Sequence, residues 1–461
     1  MTTRSEHDSL GSISLPSDAL YGSNAVRGAQ NFAGLGRSMG EFPFFMTAMA
    51  RVKQAAARTN RAVGALSPQR ADAICVACDE ISAGKHRDQF PVPLAEGSGG
   101  TSINMNVNEV IANRAGQLLG DPLGSYATVH PNDHVNLGQS TNDVVPTAVK
   151  LACVLALAPL VIAARQLAQA FETKAHAYHD TLRVGRTCMQ AAQPMTYGQL
   201  FAGHAASIRR AIEALEAARL GLCVVPMGGT AIGTGLGAAP GYGAAIAPAL
   251  SQAFDLPISR AEDAFDAMAS ADGFLRLSSE LRNLSSVVSR IAADLVILGS
   301  DGASGIGEVI LPAVQPGSSI MAGKVNPVMC MTVQQIAFAV HGRDATVALA
   351  AQAGQMEINH FEPVMAEALF DAIDLMTRGY TLFADRCIHG LIVDADRSYQ
   401  NLAASFAVST VFLRQLGYAR LSTLVKQAQQ AQIPLATLAV QEGLMSEADL
   451  RAIMSAATLP L

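Results

Sequence analysis

A short segment in the second half of the chain carries the residue types of a mobile catalytic loop. The segment GSSIMAGKVNP, which begins at Gly317, contains two glycines, the paired serines Ser318 and Ser319, and Lys324. Glycines let a backbone change conformation, and a serine near a lysine provides a nucleophile or a base beside a positive charge. This composition favours a loop that closes over a substrate.

Three further segments are rich in small hydroxyls, amides and glycines within a largely apolar chain. They are GSGGTSINMNVNE from Gly97, GQSTNDVVPT from Gly138 and GRTCMQ from Gly185. Hydroxyl, amide and N–H donors that converge in a water-poor cleft hold a dianion, and Lys324 or Arg186 would add positive charge. Together the four segments predict a site for a small carboxylate.

Each segment also has a purely local interpretation. Ser140, Thr141 and Asn142 would cap the helix that follows them, and Asn326 would cap a helix that begins at Pro327. Taken singly, these residues are typical of helix caps. The residue types of the Gly317 segment go beyond what a cap requires.

The elements that must position these segments are long helices. From Asp272 to Gly299, apolar residues recur in steps of three and four, at Phe274, Leu277, Leu281, Leu284, Val288, Ile291, Leu295 and Leu298. This heptad seam predicts a helix about 40 Å long that packs against other long helices and ends at the glycine.

Other stretches complete the predicted architecture. Further long helices are predicted from Tyr197 to Leu220 and near the prolines Pro146 and Pro327, and shorter helices beyond about residue 393, where Ser446 is a candidate N-cap. We predict a mainly α fold with few short strands and a central bundle of long helices. Its three domains would span residues 1–138, 139–393 and 394–461.

A glycine-rich stretch from Gly221 to Ser251 contains GGTAIGTGLG and no charged residue. It superficially resembles a phosphate-binding loop. No apolar strand-like run precedes it, however, and no Lys-Ser or Lys-Thr follows the glycines. We therefore predict a compact connection between bundle helices.

The bulk composition excludes several classes of protein. Half of the 461 residues are apolar and 15% are charged, and the net charge of −6 comes without a basic block, which argues against nucleic acid as the main partner. The longest apolar run, residues 151–164, is too short for a bilayer and contains Pro159. The high apolar content predicts subunit interfaces, and we expect a cytoplasmic oligomer.

The potential metal ligands do not form a convincing metal or redox site. Cys75 and Cys78 are a lone CxxC in a helical stretch, and His130 and His134 have helical spacing but are separated by Pro131. The seven cysteines are odd in number and scattered, which is typical of reduced thiols. We predict no metal and no cofactor.

These motifs resemble one known family over nearly the whole chain. GSSIMAGKVNP is similar to the signature loop of the fumarase/aspartase superfamily, and HPNDHVNLGQSTNDVVPTA, GTSINMNVNEVIANRA, GGTAIGTGL and PSDALYGSNAVRGAQNF resemble segments of class II fumarases and aspartate ammonia-lyases. The resemblance implies that the long-helix bundle forms the core of a homotetramer. It also implies active sites assembled from three subunits and a four-carbon dicarboxylate substrate that is converted to fumarate.

The resemblance also implies roles for individual residues. Ser318 would be the base that removes the Cβ proton, and Lys324 would be catalytic with it while holding one carboxylate. The implied substrate-binding residues are Thr101, Ser140, Thr141, Asn142, Thr187, Cys188, Ser319 and Asn326. Among these, Asn142 would face the leaving group.

The chain departs from the family pattern at the predicted site. Cys188 stands where fumarases typically have histidine, Met331 where relatives usually have glutamate, and Gly302 and Ala303 where relatives tend to have proline and arginine. Loss of the histidine–glutamate pair implies a different leaving-group pocket and disfavours hydration.

Several functions stay open at this stage. DQFPV, GTSINMN and FEPVMAEALFDAIDL resemble aspartase segments, which favours L-aspartate as substrate. The alternatives are a lyase that releases fumarate from an N- or S-succinyl amino acid, then a fumarate hydratase. From a different class, the chain could be an inactive scaffold, as lens crystallins related to argininosuccinate lyase are.

Overall fold

The fold is mainly helical, as predicted. In the computed structural model, residues 2–458 are described, apart from the side chains of residues 414, 415 and 457. The helices in chain order are α1 (Ser23–Asn31), α2 (Pro43–Ala62), α3 (Pro68–Ser82), α4 (Thr101–Leu118), α5 (Thr141–Ala177), α6 (Tyr197–Gly221), α7 (Tyr242–Phe254), α8 (Ala264–Ala269), α9 (Asp272–Leu298), α10 (Val328–Gln352), α11 (Glu362–Phe383), α12 (Ala395–Ala404), α13 (Ser409–Ala431), α14 (Leu435–Gln441) and α15 (Glu447–Ala457).

Strands within the described residues are short and form two-stranded ladders. Three ladders are antiparallel and one is parallel. The antiparallel pairs are β1 (Thr3–Asp8) with β2 (Gly11–Pro16), β3 (Leu182–Thr187) with β4 (Gln190–Thr196), and β7 (Val309–Ile310) with β8 (Ile392–Val393); β5 (Val224–Val225) pairs in parallel with β6 (Ser259–Arg260).

Contacts divide the chain into two compact units, each built from separated segments. The first unit comprises Met1–Leu160, Ala214–Arg282 and Ala339–Leu375, and the second comprises Val161–Glu213, Asn283–Phe338 and Met376–Leu461. In the first unit, α2 packs against α3 and α7, and α4 packs against α1 and α3. The predicted division into three domains at residues 138 and 393 stays a prediction.

The heptad seam confirms the prediction for α9. All eight seam residues are buried, and the helix ends at Leu298, immediately before Gly299. Burial of a continuous apolar stripe is the main force that holds such a helix in place, because each fully buried Leu or Ile contributes about 1.5–3 kcal/mol. The predicted helices at Tyr197 and Pro327 are also present, as α6 and α10.

Helix α5 begins earlier than the sequence predicted. It begins at Thr141, so that Pro146 and Pro159 both lie inside it and Pro146 does not mark its start. Each proline removes one backbone hydrogen bond. Burial of the surrounding apolar residues on several faces offsets this loss, because α5 is largely a core helix.

The apolar composition of α5 gives it the length and hydropathy of a membrane span. It is the one such helix among residues 2–458, and 72% of its most apolar 18-residue window is buried inside the protein. The core helix of a protein that does not cross a membrane can have the same length and hydropathy, so this feature is weak evidence for a membrane.

The glycine-rich stretch contains more regular structure than predicted. Its second part forms α7, and its first part includes β5 and a series of turns in which Gly228 and Thr230 have positive φ. Helix formation follows from the alanine-rich segment YGAAIAPALSQAF, which packs against α2. The predicted compact connection therefore includes a helix that the sequence analysis had not assigned.

A separate apolar cluster holds the C-terminal helices within the second unit. Leu182 and Val184 of β3 join apolar residues of α12 to α15 in this cluster. Ser446 caps α15 as predicted, with Asp449 completing a capping box. The strand that leads to Thr187 is thus anchored by the small helical C-terminal region.

Candidate active site

In the first unit, two helix N-termini bring predicted binding residues together. Thr101 is the first residue of α4, and Thr141 is the first residue of α5. Gly100 precedes α4 with φ of 90°, and a Cβ atom added there would lie 3.4 Å from Thr141 Cγ2. The two helix ends are therefore in contact. The partial positive charge of two helix N-termini favours an anion.

The turn before α5 orients the hydroxyl and amide groups. Ser140 Oγ accepts a hydrogen bond from the Asn142 backbone N–H at 3.2 Å, so Ser140 caps the helix as the local interpretation predicted. Asn104 Nδ2 donates to Thr141 Oγ1 at 3.2 Å. Ser140, Thr141 and Asn142 nevertheless remain half-exposed. Capping and ligand binding are thus compatible in this turn.

The amide of Asn142 has a defined orientation. Its Nδ2 donates to the carbonyl oxygen of Ala231 at 2.8 Å. A carbonyl oxygen can only accept, so the NH₂ end must face Ala231. The Oδ1 atom is then the end of the side chain that can accept a hydrogen bond from a ligand.

In the second unit, the segment from Gly317 to Asn326 forms a loop that is closed at its base. The Gly317 N–H donates to Lys324 O at 2.7 Å, and Asn326 Nδ2 donates to Gly317 O at 2.8 Å. A Cβ atom added at Gly317 would lie 2.8 Å from both Lys324 O and Asn326 N. Such a distance is a steric clash, so closure of the loop requires glycine at this position.

Two backbone donors within this loop point at the predicted base. Ser318 Oγ accepts hydrogen bonds from the N–H groups of Ile320 at 3.2 Å and Met321 at 3.0 Å. Ser318 is half-buried, and Lys324 and Ser319 are exposed. N–H groups directed at a hydroxyl oxygen stabilise negative charge on it, as in an oxyanion hole. The arrangement can therefore lower the cost of removing the Ser318 proton.

The tip of the same loop is apolar and exposed. Ile320 is 89% exposed, and Met321 and Val325 are also exposed. Exposed apolar residues clustered on one loop gain free energy when they are covered. The loop thus has the composition expected of a segment that closes over a cleft.

Thr187 and Cys188 lie at the tip of the β3–β4 hairpin. Thr187 ends β3 and pairs with Gln190, and the two-residue turn consists of Cys188 and Met189, with φ of 51° and 64°. All three residues from 187 to 189 are exposed. Two consecutive positive φ values define a turn that usually contains Asn-Gly, so this turn holds non-glycine residues in a costly conformation.

Arg186 does not provide the free positive charge that the sequence suggested. Its Nη2 atom forms an ion pair with Glu308 Oε1 at 2.7 Å, and the Glu308 side chain is fully buried. Tyr197 Oη and Asn401 Nδ2 also donate to this carboxylate, at 2.8 and 3.0 Å. The Arg186 guanidinium is therefore held in an ion pair with a buried carboxylate that Arg183 Nε also approaches, at 4.0 Å.

The two histidines considered as metal ligands are joined by a hydrogen bond from the backbone of His130 to the side chain of His134. His134 Nδ1 accepts the backbone N–H of His130 at 2.8 Å, and residues Pro131–Val135 form a π-helical turn. Burial is the main cause that lowers the pKa of His134. One ring nitrogen of His134 is thus occupied by its own turn.

The structure therefore presents the ten predicted site residues as three groups. Thr101, Ser140, Thr141 and Asn142 form the first group; Thr187 and Cys188 the second; Ser318, Ser319, Lys324 and Asn326 the third. Whether the groups meet around one substrate stays a prediction. Asp143, for which the sequence predicted no role, is fully buried and accepts the Ser140 N–H at 2.9 Å. Its position directly after the polar turn was the available signal.

Comparison with known proteins gives consistent results over nearly the full length. Residues 11–342 match the family model described as "Lyase". An aspartate ammonia-lyase of Helicobacter pylori is 36% identical, with 97% of this chain and 96% of the relative covered. A class II fumarate hydratase of Thermosynechococcus vestitus is 39% identical, with 96% and 95% covered.

A solved structure has the same fold as this chain over its full length. The crystal structure described as fumarate lyase:delta crystallin from Brucella melitensis bound to cobalt has a TM-score of 0.96 and 38% identity, and the alignment covers 100% of both chains. At this identity and coverage, both the fold and the family follow from the comparison.

Proposed function

The chain belongs to the fumarase/aspartase superfamily of lyases, and from that membership we propose that it converts L-aspartate reversibly to fumarate and ammonia by anti elimination. Curated relatives at 36–39% identity include proteins named aspartate ammonia-lyase and proteins named class II fumarate hydratase. The activity that these names share is a lyase reaction that forms fumarate. The choice of ammonia as the leaving group is the proposed part. The proposed active form is a homotetramer with sites shared by three subunits.

The observation that carries this proposal is the donor pair at Ser318. The Cβ proton of aspartate lies beside a carboxylate and is barely acidic, so its removal requires a strong, positioned base. An alkoxide at Ser318 would be stabilised by the N–H groups of Ile320 and Met321, which already donate to this oxygen. Ser318 takes the proton, and the electron pair moves into the adjacent carboxylate.

The developing aci-carboxylate carries two negative charges. Lys324, which lies in the same loop as Ser318, provides the positive charge. Asn326 and Thr187 provide hydrogen-bond donors. The second carboxylate binds at the convergent N-termini of α4 and α5, through Thr101, Ser140 and Thr141. Collapse of the intermediate then expels the leaving group from Cα.

The orientation of Asn142 supports an amine as the leaving group. With Nδ2 directed at Ala231 O, its Oδ1 is an acceptor and would bind an N–H of the substrate ammonium. Cys188 occupies the position where fumarases typically have histidine. It supplies no comparable group for activating water, which disfavours hydration.

A second candidate is release of fumarate from an N- or S-succinyl amino acid. Cys188 and Met331 favour this alternative, because Met331 is 44% exposed on α10 and presents an apolar side chain where relatives usually have glutamate. An apolar side chain accepts a bulkier leaving group more readily than a charged one does.

A panel of substrates tests the proposal directly. The purified protein is given L-aspartate, L-malate and N- and S-succinyl amino acids, and fumarate is followed by its ultraviolet absorbance. We expect L-aspartate to give the highest kcat/KM. Ser318→Ala, purified in parallel, is the matched control for lyases carried over from the expression host. A higher kcat/KM for malate or for a succinyl compound than for aspartate would show that aspartate is not the preferred substrate. Inactivity on all of these compounds would favour the alternative of an inactive scaffold protein.

A further inference from the structure

The turn that carries Ser140, Thr141 and Asn142 rests on a buried carboxylate. Asp143 is 0% exposed, and its Oδ1 accepts the Ser140 N–H at 2.9 Å. Its Oδ2 accepts the N–H groups of Gly228 and Thr230, each at 3.0 Å. One side chain thus joins two segments that are 85 or more positions apart in sequence.

The same two segments are joined a second time. Asn142 Nδ2 donates to Ala231 O at 2.8 Å, one residue beyond Thr230. Thr230 has φ of 56°, a left-handed conformation that is strained for a residue with a Cβ atom. Its N–H can reach Asp143 in this conformation, so the hydrogen bond to the carboxylate offsets the strain.

A buried lysine is hydrogen-bonded to the residues that precede the turn. Lys53 of α2 is also 0% exposed, and its Nζ donates to Asn136 Oδ1 at 2.9 Å and to Gln139 Oε1 at 3.0 Å. Asn104 donates from one Nδ2 to both Asn136 Oδ1 and Thr141 Oγ1, at 3.2 Å each. A continuous network therefore runs from Lys53 to a hydroxyl of the predicted site.

The two buried charges stabilise each other. Burial raises the pKa of Asp143 to about 6, and the Lys53 charge and three backbone N–H groups oppose this rise. Burial lowers the pKa of Lys53 to about 7, and the Asp143 charge opposes that fall. Lone buried charges are costly, so each residue helps the other to remain charged.

We propose that Asp143, with Lys53 as its counter-charge, is a positioning residue that holds the Ser140–Asn142 turn against the Gly228–Ala231 turn in the geometry that binds the substrate carboxylate. This inference rests on the proposed function of that site. Donors held in place before binding do not have to be ordered when the substrate arrives, which is why such support strengthens binding. Neither Asp143 nor Lys53 needs to touch the substrate.

The test compares two buried carboxylates in the same unit. Asp143→Asn removes the charge and turns one acceptor into a donor that faces an N–H group. The matched control is Glu109→Gln: Glu109 is 2% exposed and likewise accepts three backbone N–H groups, from Gly22, Asn24 and Ala25 at 2.8–3.1 Å. That carboxylate supports α1 and has no contact with the Ser140 turn.

The measurements separate positioning from general stability. For wild type and both variants we measure the binding of succinate, a dicarboxylate without a leaving group, by calorimetry, together with kcat, KM and thermal unfolding. We expect Asp143→Asn to raise the succinate Kd and KM by at least about tenfold, and to lower kcat by a smaller factor. Glu109→Gln should lower the unfolding temperature and leave Kd within about twofold of wild type. Succinate binding by Asp143→Asn within twofold of wild type would overturn the proposal.

A second variant tests the proposal if Asp143→Asn does not fold. Lys53→Met replaces the ammonium with an apolar group of similar length, and we expect at least about threefold weaker succinate binding. Unchanged binding in Lys53→Met would also overturn the proposal. The proposed function fails separately if wild type binds succinate but forms no fumarate from any substrate of the panel. A wild-type protein that binds no dicarboxylate overturns both.

Discussion

Replacement of Ser318 by alanine should abolish turnover while preserving the fold. The substitution removes the Oγ atom that accepts the N–H groups of Ile320 and Met321 at 3.2 and 3.0 Å. Loss of a positioned general base typically lowers kcat by about 10²–10⁴-fold, which corresponds to about 3–5 kcal/mol of the activation barrier. The site is half-buried, so water can replace the lost acceptor, and stability should change by no more than about 0.5 kcal/mol.

The assay for Ser318→Ala follows fumarate absorbance at saturating and subsaturating substrate. We expect KM to stay within about threefold of wild type, because the carboxylate-binding groups remain. The matched control is Ser279→Ala, which removes another serine hydroxyl, one that donates to Arg276 O on α9. This control should retain full activity. If Ser318→Ala kept more than about a tenth of the wild-type kcat, Ser318 would not be the base.

Three further predictions concern binding and stability. Lys324→Met should raise KM at least about tenfold through loss of a charge-assisted contact to a carboxylate, and an unchanged KM would remove Lys324 from that role. Met189→Gly should raise the free energy of unfolding by about 0.5–1 kcal/mol, because glycine adopts φ of 64° without strain; a lower unfolding temperature would contradict this reasoning. Burial raises the pKa of Glu362 to about 8, against an ordinary value of 4.5, with the Lys150 charge opposing the rise. Between about pH 4.5 and about pH 8 the folded state therefore retains a proton that the unfolded state loses, so the free energy of unfolding decreases as the pH rises through this range. Glu362→Gln should make this decrease smaller by a few kcal/mol. An unchanged pH dependence of unfolding in Glu362→Gln would refute the raised pKa of Glu362.

The long helices could be predicted because their signals are local. The seam of α9 is periodic over almost four heptads, and its end at Gly299 follows from the glycine itself. The start of α5 could not be predicted from Pro146, because the residues that bury the helix and offset its prolines come from distant parts of the chain. Likewise, α7 was missed because its glycine-rich beginning obscured a helix that packs against α2.

The predicted site shows the same division between local and distant signals. The residue types of the Gly317 segment and the resemblance to the superfamily named Ser318, Lys324 and Asn326, and the loop indeed closes through Gly317 and Asn326. The ion pair between Arg186 and Glu308 could not be predicted, because the two residues are 122 positions apart. An arginine and its buried partner leave no joint pattern in one sequence.

The sequence alone determined the helical fold class, the family and the identity of the polar segments, since periodicity, composition and motif order are properties of neighbouring residues. Only the tertiary structure decided which way the Asn142 amide points, and that Asp143 joins two distant turns. These facts depend on hydrogen-bond direction and burial, which exist only once remote segments pack together and exclude water.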